Sequence, residues 1–153
     1  GHRLVFFPMQ RDVDNQVAED LEAIVPGHLA CHPLPEEIGP AIRAVGEVDV
    51  LVAMRLHAGI LATLQGVVPV GIIYHPKVDA FLERIGMRAL AEELGDGSNW
   101  QEASIDAARL VQSVETALRD GERLREDIAA RLGPLRTAAH ANAVVAVALA
   151  GLR

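Results

Sequence analysis

Arg55 and His57 stand two residues apart, and His75 and Lys77 repeat that spacing further along the chain. Each pair follows an apolar run, VDVLVAM in the first case and VVPVGIIY in the second, and each leads into a helical pattern. At such a junction the side chains lie beside the free backbone N–H groups of a helix's first turn. A guanidinium, an ammonium and imidazoles in that setting suit an anion, either phosphate or carboxylate. Open parallel sheets bind ligands at the carboxyl ends of their strands. Neighbouring strands are only about 5 Å apart, so two junctions can serve one anion. The ordinary alternatives are a surface ion pair for Arg55, a helix cap or core position for His57 and a solvated Lys77. Of the 14 Lys plus Arg residues only Lys77 is a lysine. A chain so biased toward arginine keeps lysine chiefly where the planar fork does not serve. Asp79 reads as a favourable first-turn charge on the same helix.

The elements that would position these residues follow from the apolar pattern. Runs that are apolar without alternation indicate strands buried on both faces, and they occur at Arg3 to Met9, Val48 to Met54 and Val67 to Tyr74. A helix capped by Asp12 or Asp14 is expected through Val25, with Val13, Val17, Leu21, Ile24 and Val25 inward. Leu29 to Leu34 reads as a short strand limited by Pro33. PEEIGPAIRAVGE should form two short helical pieces broken at Gly39-Pro40. Helices are expected from about Arg55 to Gly66 and from Lys77 to Ile85, and a short edge strand at Met87 to Ala91. Three more helices are expected: one from Ser98 or Asn99 to Asp120, one from Glu122 to Leu132, and one from Leu135 to Leu149 after a break at Gly133-Pro134. Strands alternating with helices imply an α/β, Rossmann-like parallel sheet flanked by helices, with a helical C-terminal tail.

At 153 residues, half of them hydrophobic, the chain suits a single Rossmann-like domain over 1–153 with a real core. The net charge of −7 argues against a non-specific nucleic-acid binder, which needs clustered Lys and Arg. Cys31 is alone, so a disulfide framework is excluded and a reducing cytoplasm is the expected location. His28, Cys31 and His32 lie close together but lack a second ligand pair, and they read as loop residues rather than a metal site. No cofactor-binding glycine loop is evident. The longest apolar run, AVVAVALAGL, is well short of the roughly 20 residues needed to span a bilayer. A chain that opens directly on a buried-looking strand is expected to be a piece of a longer protein.

The segment AMRLHAGILATLQGVVPVGIIYHPKVDAFLERIG resembles the signature region of polysaccharide pyruvyl transferases, in particular the branch that modifies bacterial secondary cell-wall polymers for S-layer anchoring. That family carries M-R-L-H, then a glycine with a following Pro-Val, then Y-x-P-K-V and a phenylalanine. FFPMQRDVD is similar to its F-x-P-M-Q followed by aspartate, and the helix bearing Asn142 also fits. His75 departs from the pattern, because the family commonly has an aspartate there.

The resemblance implies the carboxyl-terminal half of a two-domain enzyme of glycosyltransferase-B architecture. The implied reaction moves pyruvate from phosphoenolpyruvate to two hydroxyls of an N-acetylmannosamine-type sugar as a cyclic ketal, releasing phosphate and needing no further cofactor. On this basis His57 is the expected general acid/base, Lys77 and Arg55 bind the donor's anionic groups, and His75 lines the site. The expected partners are phosphoenolpyruvate, a lipid-linked saccharide acceptor at the inner face of the membrane, and the missing amino-terminal half. The family's sheet has a further strand between RLVFFPM and VDVLVAM. Without it, the chain is expected to be inactive, with those strands paired directly or the gap filled by a homodimeric partner through strand exchange or addition. Two rival readings are a nucleotide-sugar glycosyltransferase of the same architecture and a non-catalytic anion-binding module.

Overall fold

The run from Val67 to Tyr74 is apolar at both alternating sets of positions, so it is at rest only when covered on both faces. In the computed structural model, which describes residues 2–95 and 104–151, this run contains β4 (Val68–Ile73). It is the middle strand of a parallel three-stranded sheet, between β3 (Val50–Ala53) and β5 (Glu92–Glu93). Val52 is level with Val70 and Ala53 with Gly71. On the other side Ile72 and Ile73 are level with Glu92 and Glu93.

Helices α3 (Leu56–Leu64) and α4 (Pro76–Arg84) follow β3 and β4 directly. The two pack closely because Gly59 leaves room for the Phe81 ring, which would stand 3.1 Å from a Cβ there. Gly66 and Gly86 end these helical segments with φ of 73° and 75°, backbone values that favour glycine. The remaining helices of this unit are α5 (Ala107–Arg119) and α6 (Gly121–Leu149). Its core joins Val68 and Val70 from the sheet, Leu82 and Ile85 with the following Met87, and Ala117, Leu124 and Ile128 from α5 and α6. Each fully buried Val, Leu, Ile or Met contributes about 1.5–3 kcal/mol relative to exposure.

The chain forms two compact units, Gly1–Glu47 and Val48–Arg153, each with its own ladder of parallel strands. The first contains β1 (Leu4–Phe6), α1 (Arg11–Ile24), β2 (Leu29–Cys31) and α2 (Ile38–Val45). β1 and β2 pair in parallel from Leu4 with Leu29 to Phe6 with Cys31. The Asp14 carboxylate accepts from the Met9 and Gln10 amides, each at 2.8 Å, and ties the exit of β1 to α1.

Several elements differ from the pattern-based expectations. PEEIGPAIRAVGE contains one helix rather than two, because Gly39 and Pro40 fall in the first turn of α2, where a missing N–H costs nothing. The strand expected at Met87 to Ala91 is instead a 3-10 turn at Arg88–Leu90, with β5 starting at Glu92. Met87, Leu90 and Ala91 are all buried, and a tight turn brings them to the core where an extended chain would alternate them. Helix α5 starts at Ala107, where the Asp106 carboxylate accepts the Arg109 amide at 3.1 Å and caps it. The expected start at Ser98 or Asn99 lies outside the described residues. Gly133-Pro134 does not break the last helix: α6 runs through it. Both residues are exposed, so the Ala130 carbonyl that loses its partner to Pro134 meets water, while the Thr137 hydroxyl donates to the Gly133 carbonyl at 3.2 Å. On α1, Ala18 is buried whereas Ile24 is 74% exposed, contrary to the expected inward face.

Candidate functional site

Parallel pairing puts the exits of β3 and β4 on one edge of the sheet, and both exits lead straight into helices. Arg55 is the N-cap residue of α3 in extended backbone geometry, and His57 is the helix's second residue. His75 is the N-cap residue of α4, Pro76 occupies its first position and Lys77 its second. The repeated spacing seen in the sequence is thus the same structural position used twice: a cap and the second helical residue, on adjacent strands. The register sets their offset. β4 continues two residues past the Ala53–Gly71 level before it ends. At about 3.3 Å per residue the head of α4 lies roughly 6–7 Å beyond that of α3 along the strand direction. Long cationic side chains such as Arg and Lys span an offset of that size.

His57, His75 and Lys77 are exposed, and Arg55 is half-buried. The exposed groups can meet a ligand without a buried charge being created. Two helix amino ends at one edge also contribute partial positive charge and backbone donors. The His75 Nδ1 accepts the Lys77 backbone N–H at 3.1 Å, and the Tyr74 ring lies 6.1 Å from the His75 ring, tilted by 58°.

Acidic groups border the site on the side of β5. Arg88 pairs with both Asp79, in the first turn of α4, and Glu93 at the end of β5. Asp79 therefore does more than complement the helix amino end, because it also anchors the segment running into β5. Next to it, Glu92 is buried and its carboxylate meets the Arg109 Nε of α5 at 3.1 Å. None of these three pairings is visible in the sequence, since the partners lie nine, five and seventeen residues apart on different elements. Helix α4 begins one residue earlier than the expected Lys77, with Pro76 at its first position and His75 as the N-cap. In the other unit, His28 precedes β2, Cys31 closes it as an exposed thiol, and His32 follows. Among the described residues no group of three or more His, Cys, Asp or Glu side chains is placed to hold a metal ion, and no helix is long and apolar enough to cross a membrane.

Compared with protein-family models, curated proteins and solved structures, the chain finds no match.

Proposed function

We propose that this chain contributes the donor site of a pyruvyl transferase acting on a cell-wall polysaccharide, with phosphoenolpyruvate as donor. The observation that carries the proposal is the repeated junction: Arg55 with His57 and His75 with Lys77 head two helices on adjacent parallel strands. The similarity of AMRLH and YHPKV to the pyruvyl transferase signature gives that cationic edge its specific donor. On this reading the chain forms the carboxyl-terminal half of a glycosyltransferase-B-like enzyme, and its acceptor is a lipid-linked saccharide.

The chemistry assigns each residue one task. Lys77 and Arg55 neutralise the donor's phosphate and carboxylate, which lowers the cost of bringing a highly charged molecule against the sheet. His57, as imidazolium, delivers a proton to the methylene carbon, so that C2 becomes electrophilic and the carbon becomes a methyl group. A sugar hydroxyl oxygen then bonds to C2 and releases its proton to the resulting neutral imidazole. A second hydroxyl bonds to C2 as the C–O bond to phosphate breaks, and its proton leaves with the phosphate. The products are the cyclic ketal and inorganic phosphate, with no net change in redox state.

The test is calorimetric titration of phosphoenolpyruvate into the intact protein and its Lys77→Ala and His57→Ala variants, followed by phosphate release in the presence of acceptor. The expected result is loss of binding in Lys77→Ala. His57→Ala should retain binding with turnover lowered on the order of 10² to 10⁴. Binding of a nucleotide-sugar, with none of phosphoenolpyruvate, would transfer the assignment to an ordinary glycosyltransferase.

A further inference from the structure

An imidazole closes the amino end of α4. His75 has extended backbone angles (φ −151°, ψ 142°), and its Nδ1 accepts the Lys77 N–H at 3.1 Å. Side-chain caps are ordinarily Ser, Thr, Asp or Asn, whose oxygens accept throughout the range around neutrality. An imidazole nitrogen accepts only while it keeps its lone pair, and in imidazolium both nitrogens are donors. The hydrogen bond therefore assigns a tautomer, with the proton of the neutral ring on Nε2. It also makes the cap conditional on the ring keeping its lone pair at Nδ1.

We propose that His75 is a proton-operated cap of α4. When neutral, it occupies the Lys77 N–H and closes the helix. When protonated, it releases that N–H and places a second cation beside Lys77. An aspartate at this position would do neither, since it would hold the N–H throughout and set a negative charge against the lysine. Imidazolium at a helix amino end is also opposed by the helix's own partial charge, so protonation loosens the first turn as well as uncapping it. Among the described residues, the charged and titratable groups at this edge include Lys77 and Asp79 on α4, Arg55 and His57 at the head of α3, Tyr74, and Arg88 with Glu93 from the segment entering β5. Asp79 and Glu93 are both engaged by Arg88, so neither is a ready counter-ion for the imidazolium. The consequence for an anion rests on the donor-site reading above: the α4 amino end gains a free donor and a positive charge on acidification. The cap itself requires no ligand, so its test and that of the donor site fail independently.

The experiment is nitrogen NMR of the His75 ring, together with the shift and hydrogen exchange of the Lys77 amide from pH 8 to pH 5, in the wild-type chain and in His75→Asp and His75→Ala. The proposal expects the Nε2–H tautomer at the alkaline end. It expects the Lys77 amide to follow the imidazole titration, and its protection, corrected for intrinsic exchange, to fall about fivefold, the size of a lost side-chain cap. His75→Asp should keep its protection across the range and His75→Ala should lack it at both ends. An Nδ1–H tautomer at pH 8, or a Lys77 amide that ignores the imidazole titration, would overturn the proposal. So would an equal fall in His75→Asp.

Discussion

Gly71 decides how closely α4 can sit on the sheet, and replacing it tests the platform on which His75 and Lys77 stand. A Cβ at this position of β4 would overlap the Leu82 Cδ1 and lie 3.3 Å from the Ala91 Cβ. Ala91 cannot yield, because its Cβ is fixed by its backbone. Leu82 has little room to yield, because it lies in the same buried cluster as Ile85 and Met87 and all three are essentially inaccessible. Overpacking of this kind costs about 1–3 kcal/mol. Replacing glycine also removes conformational freedom from the unfolded chain and returns about 0.4–1 kcal/mol. The net expectation for Gly71→Ala is a loss of about 1–2 kcal/mol, read as a lower urea midpoint by circular dichroism with an unchanged slope. Leu82→Ala alone should cost about 2–5 kcal/mol through the cavity it leaves. In the double variant the new methyl group enters that cavity, so the two losses should combine to less than their sum by about 1 kcal/mol or more. Strict additivity of the two changes would refute the packing of Leu82 over Gly71 and, with it, the seat of α4.

Other consequences are independent of that contact. Arg109→Ala leaves the Glu92 carboxylate buried without its cation, and should lower stability by about 1–3 kcal/mol. Adding Glu92→Gln to that variant should recover most of the loss, and a single variant as stable as wild type in urea would show the pair to be incidental. Asp106→Ala removes the oxygen that caps α5 and should cost about 1 kcal/mol, seen as a reduced melting temperature. Pro134→Ala restores a donor to the Ala130 carbonyl inside α6. It should raise the protection of the amides of residues 135–149 in hydrogen exchange, by up to about 3 kcal/mol in local opening free energy. Unchanged protection would mean that the helix accommodates proline without loss.

The strands and the helices that flank the proposed site were legible from the sequence because their signals are local. VVPVGIIY is apolar without alternation and β4 is buried at successive positions as that pattern requires, and Pro76 after His75 marks a helix start by its fixed φ. VDVLVAM contains β3, but Val52 and Met54 are each 43% exposed, so the expected burial on both faces is not met there. The placing of Arg55 with His57 and of His75 with Lys77 at two strand-to-helix junctions was legible because those signals are local, whereas their equivalence as cap and second helical residue came from the structure. Elements whose form depends on distant neighbours were not legible. Met87 to Ala91 has the composition of a strand, but three of its residues must reach the core together, and a 3-10 turn does this where a strand cannot. Gly133-Pro134 has the composition of a break, yet solvent is available there to the orphaned carbonyl and the helix continues.

What the sequence determined by itself is the alternation of strand and helix and the placing of four chemistry-bearing residues at two helix heads, because caps, prolines and apolar runs act over a few residues. Only the tertiary structure decided that those two heads share one edge of a parallel sheet, offset by about two residues. It alone matched Arg88 to Asp79 and Glu93, and Arg109 to Glu92. Pairings of that kind depend on strand register and on which helix covers which strand, and these are settled by how side chains such as Leu82, Phe81 and Ile128 fill the common core.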